Sequence, residues 1–135
     1  METKRYFIVA IDDDDTILDM YRSGLVDFEV TAFSNPIKAK EFLFSDQKKP
    51  DLILMDIMMP NLDGISFIRE IRSNDNLSSI PIITVSGLAD AATLNDAMLF
   101  GATDYVIKPF DIIELSDKIK NIIRKYSNRT NKEAK

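Results

Sequence analysis

The 135-residue sequence contains no cysteine and no histidine. The first absence excludes a disulfide framework, a thiol nucleophile and any cysteine-based zinc or iron centre. The second removes the side chain that most often serves as general base or metal ligand near neutral pH, and with it phosphohistidine chemistry on this chain. Any chemistry here falls to carboxylates, hydroxyls and lysine. Long apolar runs are missing too, since none approaches the roughly 20 residues that cross a bilayer as a helix. The opening stretch METKRYFIVAIDDDD leads into four acids instead of a signal-peptide cleavage site. Nor is there a basic excess: 17 Lys+Arg against 22 Asp+Glu leave a formal charge of -5, which disfavours nucleic-acid binding through bulk electrostatics. The expectation is a soluble cytoplasmic protein without a nucleic-acid or membrane partner. Its length fits one domain that buries a core unaided by disulfides or a structural metal.

What is present is organised around residues 51–64, DLILMDIMMPNLDG. Leu52, Ile53, Leu54 and Met55 form an apolar run too short for a helix and without alternation, the pattern of a strand buried on both faces. It stops at Asp56, a carboxylate at the tip of a central strand, where open α/β sheets bind ligands. Met59-Pro60 disfavours an immediate helix, and Asp63-Gly64 supplies a turn before the next one. Four other runs read as strands: residues 6–11 (YFIVAI), 28–33 (FEVTAF), 81–86 (PIITVS) and 105–107. Helical spacing of apolar residues follows each strand. Ile17, Leu18, Tyr21 and Leu25 mark the first helix, capped by one or more of the later aspartates. Ser34-Asn35-Pro36 opens the second, Ile65 to Ile71 carry the third, and Leu94, Ala97 and Met98 the fourth, with Gly101 as its carboxyl-terminal cap. Asp111 and Glu114 open a fifth at capping-box spacing. Five strands alternating with five helices predict a parallel sheet covered on both faces by right-handed crossovers. Residues 127–135 (SNRTNKEAK) lack apolar periodicity and read as a polar tail, leaving a domain over 1–126.

In a parallel sheet all strands end at one edge, so Asp12, Asp13, Asp56, Ser86 and Lys108 become neighbours. Taken singly, each is an ordinary cap or turn residue; their coincidence at the edge of an apolar sheet favours a site. Crowded carboxylates repel one another unless a cation joins them, and Mg2+ prefers such oxygen ligands. Asp13 and Asp56 would bind it directly, with Asp12 direct or through water. Lys108 would pair with Asp56 or an anion attached to it, and the Ser86 hydroxyl would donate to that anion. Asp56 then suits the role of nucleophile in phosphoryl transfer.

Four segments in order (IDD, LILMDIMMPNLDG, TVSG and DYVIKPF with its lysine and proline) resemble the receiver domain of two-component response regulators, over about the first 125 residues. The likeness is to stand-alone, chemotaxis-regulator-like receivers, and a piece cut from a longer regulator or hybrid kinase would read the same. The resemblance implies a flavodoxin-like (βα)5 three-layer sandwich with strand order 2-1-3-4-5. It implies Asp56 as phosphoacceptor and Asp12, Asp13, Asp56 and the Met58 backbone carbonyl as Mg2+ ligands. Lys108 would contact the phosphoryl group, Ser86 would be the switch hydroxyl, and Tyr105 would change rotamer with it. Lys108-Pro109 would be a cis peptide. A phosphohistidine of a sensor kinase or phosphotransfer protein would be the donor. The face formed by the fourth helix, fifth strand and fifth helix would meet the downstream target. Met58 and Leu88 stand where related receivers orient or exclude the hydrolytic water, and neither positions water strongly, so a long-lived phosphoryl state is expected. The competing reading is a Mg2+-dependent phosphohydrolase with an aspartyl nucleophile. It lacks the second aspartate two residues on, where Met58 stands. The domain is therefore expected to be a regulatory phosphoacceptor and not a turnover enzyme.

Overall fold

A computed structural model describes residues 5–60, 62–87 and 91–133; Leu88 lies outside them. The chain alternates β1 (Tyr6–Ile11), α1 (Asp15–Gly24), β2 (Phe28–Phe33), α2 (Pro36–Leu43), β3 (Leu52–Met55), α3 (Gly64–Ser73), β4 (Ile82–Gly87), α4 (Ala91–Phe100), β5 (Asp104–Lys108) and α5 (Ile112–Glu133). All strand pairs are parallel, in the order β2-β1-β3-β4-β5. The predicted flavodoxin-like (βα)5 sandwich is the observed architecture.

The strands' period of two explains the three layers. Along β1, Phe7, Val9 and Ile11 join residues of α2, α3 and α4, while Ile8 and Ala10 join residues of α1 and α5. The sheet thus divides the interior into two cores, and β3, buried at all four positions, lies between them. Every polar strand tip is carried on this doubly buried platform.

Most helix starts follow from local chemistry. The Asp14 carboxylate accepts from the Thr16 N–H, Asn35 from Ile37 and Lys38, Asp63 from Ile65 and Ser66, and Asp111 from Ile113 and Glu114. Each satisfies amide donors that the first turn leaves unpaired. Two expectations shift. Gly64 is the first residue of α3 and not part of a free turn; an added Cβ would lie 2.8 Å from the Ile57 Cα, so the glycine answers a demand for space. And α5 runs past Tyr126 to Glu133, where the sequence reading ends the domain and begins a polar tail. The missing apolar period hides the helix from the sequence, whereas the backbone can stay helical because Arg, Lys and Glu are good helix formers and neither Gly nor Pro interrupts.

Candidate functional site

Asp12 and Asp56 are fixed by the sheet before their side chains act. The Asp12 amide donates to the Phe33 carbonyl at 3.1 Å and the Asp56 amide to the Ile11 carbonyl at 2.9 Å, so the ladders extend one residue past the strands. Their side chains are almost wholly enclosed, 0 % and 5 % exposed, while Asp13 faces solvent. One carboxylate oxygen from each of Asp12, Asp13 and Asp56 falls within 4.8 Å of the others. This is the grouping expected from the strand ends.

Lys108 enters from β5. Its ammonium donates to Asp56 Oδ2 at 3.1 Å and lies 2.9 Å from Asp12 Oδ2, an ion pair outside hydrogen-bond geometry. The lysine therefore bridges two acids, where the sequence reading paired it with Asp56 or an anion attached to it. The remaining oxygens are partly satisfied, with the Asp14 N–H donating to Asp12 Oδ1 and the Met58 N–H to Asp56 Oδ1, each at 2.9 Å. Asp12 Oδ2 is left buried without a hydrogen-bond partner among the described residues. Burial pushes the Asp12 pKa up, and repulsion from Asp56 adds to this, against the lowering by Lys108 and the Asp14 amide. For Lys108, burial disfavours the ammonium, yet its two carboxylate partners outweigh that and its pKa is raised.

Ser86 ends up on the same edge: Met55 pairs with Thr84, and Ser86 follows two residues later on β4. Its hydroxyl is buried, 1 % exposed, with no hydrogen-bond partner among the described residues. Tyr105 stands opposite Thr84 on β5 and is 44 % exposed. The Lys108-Pro109 peptide is cis. Met58 holds its side chain half in solvent beside Asp56.

Two residues escaped the sequence reading. Among the described residues Thr84 carries a third buried hydroxyl or carboxylate oxygen without a hydrogen-bond partner, and strand alternation from Ser86 was the signal that would have found it. Tyr21 looked like one more apolar-face residue of the first helix. In the structure it is buried near the acids, and burial together with the charges of Asp12 and Asp56 pushes its phenol pKa up, so the hydroxyl stays protonated.

The family described as "Response regulator receiver domain" matches residues 8–120. Among similar proteins, "Transcriptional regulatory protein CseB" of Streptomyces coelicolor is 36% identical over 124 residues, 88% of this chain and 50% of that one. "Regulatory protein AtoC" of Escherichia coli is 40% identical over 111 residues, 81% of this chain and 23% of that one. The chain thus spans half or less of these curated relatives. Among solved structures, a putative response regulator from Chloroflexus aurantiacus superimposes with a TM-score of 0.81 at 27% identity, covering 90% of this chain and 99% of that one. A response regulator receiver domain protein from Clostridium thermocellum gives 0.81 at 28%, covering 90% and 97%. These likenesses favour a regulatory domain over a hydrolase, and they fall on the segments that build the acidic edge. The chain belongs to the receiver domain family of two-component response regulators.

Proposed function

We propose that this receiver is a phosphorylation-operated switch in which Asp56 accepts a phosphoryl group from a phosphohistidine of a sensor kinase or phosphotransfer protein. The observation that carries the reading is an almost enclosed strand-tip carboxylate paired with Lys108 inside a three-carboxylate cluster. An Asp56 oxygen attacks the phosphorus as the donor's N–P bond breaks. The electron pair stays on the imidazole nitrogen, which takes a proton from solvent. Lys108, already bridging the acids, meets the charge on the transferring oxygens.

The donor set fits Mg2+: it is all oxygen, it clusters three acids, and it includes the buried Asp12 Oδ2, which faces the Lys108 ammonium but has no hydrogen bond among the described residues. Asp12, Asp13 and Asp56 would hold the ion, with the Met58 backbone carbonyl as a further ligand. When bound it would offset the negative charge of the acids and the incoming phosphoryl group. The Ser86 hydroxyl, without a hydrogen-bond partner among the described residues, is ready to donate to a phosphoryl oxygen. Its movement, with Tyr105 turning from its exposed position, would shift the population of the α4–β5–α5 face toward the form that binds the target. The domain acts as a regulatory phosphoacceptor in the cytoplasm, without nucleic-acid or membrane contact of its own. The net charge of -5 supports the lack of nucleic-acid contact, and among the described residues no helix is long and apolar enough to cross a membrane.

Incubation with Mg2+ and acetyl phosphate, followed by intact mass measurement, tests the reading. A phosphate-sized gain in the wild type and none in Asp56→Asn is expected. Equal gain in both, or none in either, overturns it, and steady turnover of phosphomonoesters would instead favour the hydrolase.

A further inference from the structure

Lys108 is constrained from behind as well as by the acids in front. It ends β5, and the chain passes through Pro109 to Phe110 before α5 begins at Ile112. The Phe110 ring stacks on Tyr21, with centroids 5.8 Å apart and planes at 14°. Tyr21 is 1 % exposed and sits in the same core as Leu18, Leu25, Leu115 and Ile119. Three residues further along α1, Gly24 lets α5 approach so closely that an added Cβ would lie 2.5 Å from Ile112 Cγ1. One helix therefore grips both Phe110 and Ile112. That helix itself starts at the Asp14 cap, directly after Asp12 and Asp13.

We infer that this seam, Tyr21 on Phe110 and Gly24 against Ile112, positions Lys108 between Asp12 and Asp56, with Tyr21 a positioning residue that acts through Phe110. The inference rests on the phosphoryl-transfer reading above. Its physical ground is the lysine's four-carbon stem, which leaves many rotamers open, so the ammonium reaches both acids reliably only if the backbone it hangs from is held. Tyr21 and Gly24 fix that backbone relative to the loop that carries the acids. Removing the Tyr21 ring would leave a cavity into which Phe110 relaxes, carrying the lysine's anchor with it. Gly24→Ala would push the start of α5 the other way, because Cγ1 is not the free end of the Ile112 side chain. Misplacement by about 1 Å at reacting groups can cost up to about 100-fold in rate.

The test measures phosphoryl uptake from acetyl phosphate with Mg2+, and the 15N signal of the Lys108 ammonium without Mg2+, at a temperature where circular dichroism shows each variant folded. Tyr21→Phe keeps the ring and is expected within about twofold of wild type. Tyr21→Ala is expected to slow the maximal rate by about tenfold or more while leaving the half-saturating acetyl phosphate concentration little changed, and to broaden the ammonium signal. Gly24→Ala should slow uptake, and adding Ile112→Ala, which deletes the clashing atom, should restore it. Ile71→Val, in the opposite core, loses stability but should keep its rate. Wild-type rates in both Tyr21→Ala and Gly24→Ala overturn the inference, as does equal slowing by Ile71→Val. If Tyr21→Ala does not fold, the Gly24→Ala and Ile112→Ala pair decides, and failure of the rescue overturns it. Wild-type protein that takes up no phosphoryl group overturns the phosphoacceptor reading itself, a result distinct from all of these.

Discussion

At Asp12 a single side chain carries two opposed demands. A buried carboxylate is costly when charged, yet a cation site needs it charged; Lys108 offsets only part of the cost, since the Asp12 pKa remains raised. An acid whose folded value lies above its unfolded one takes up protons on folding. Its contribution to stability is therefore most favourable below the ordinary value of 3.8 and is lost as pH rises through the raised one. At neutral pH the group is a net cost to the fold, so Asp12→Asn is expected to raise the thermal midpoint at pH 7 in chelator, with the gain shrinking as pH falls toward 4. A variant less stable than wild type at pH 7 would show that Lys108 more than compensates the burial. Met58 bears on a different quantity. Its backbone amide is committed to Asp56 Oδ1, and its half-exposed thioether cannot hold a water firmly. Met58→Asn is therefore expected to shorten the phosphoryl lifetime, read as decay of the phosphorylated mass after donor removal; equal lifetimes would remove the side chain from hydrolysis. That Asp12, Asp13, Asp56, Ser86 and Lys108 share one edge was legible from the strand tips, whereas Met58 came with the family resemblance. The double contact of Lys108 was not legible, because sequence spacing shows which residues share an edge but not which oxygen a flexible side chain reaches.

For the elements, glycine and asparagine or aspartate at the junctions do most of the shaping. Asn35 and the aspartates at 14, 63 and 111 start their helices by the same short-range chemistry, and the sequence announces it. Gly64 was legible as a junction but not as a contact, since its need is set by Ile57, seven residues back and across a loop. Gly101 combines both kinds of demand. Its φ is +129°, which side-chain-bearing residues rarely adopt, and an added Cβ would lie 2.8 Å from the Arg72 side chain. That guanidinium donates to the carbonyls of Gly101 at 2.9 Å and Ile80 at 2.7 Å, tying the end of α4 to the loop before β4. Gly101→Ala is thus expected to cost about 1–3 kcal/mol, measured as a lowered urea midpoint with unchanged slope. A change below about 0.5 kcal/mol, the range of a neutral surface substitution, would mean that the junction adjusts without strain. The extension of α5 was hidden for the converse reason: residues 127–133 carry no apolar period to read.

Across the whole molecule, the site exists only when distant connections are assembled on one sheet. Alternation of strands and helices was enough to predict a parallel sheet, but strand order came with the family resemblance, because local periodicity does not say which strands are neighbours. That order puts β1 and β3 side by side, brings Asp12 and Asp13 to Asp56, and leaves the acids scattered once the chain unfolds. A cation that needs all three therefore binds the folded state and not the unfolded one, and must raise stability by mass action. Each tenfold increase in free Mg2+ above its dissociation constant should add about 1.4 kcal/mol, or roughly 5 °C in thermal midpoint for a domain of this size. Asp13 makes the decisive control, because it is solvent-exposed and carries little of the core. Asp13→Ala should match wild-type stability in chelator yet lose most of the Mg2+-dependent rise. Scanning calorimetry across a Mg2+ series reads both numbers. A rise of equal size in Asp13→Ala would put the ion elsewhere, whereas a fall in stability in chelator would make Asp13 part of the scaffold and not only of the site.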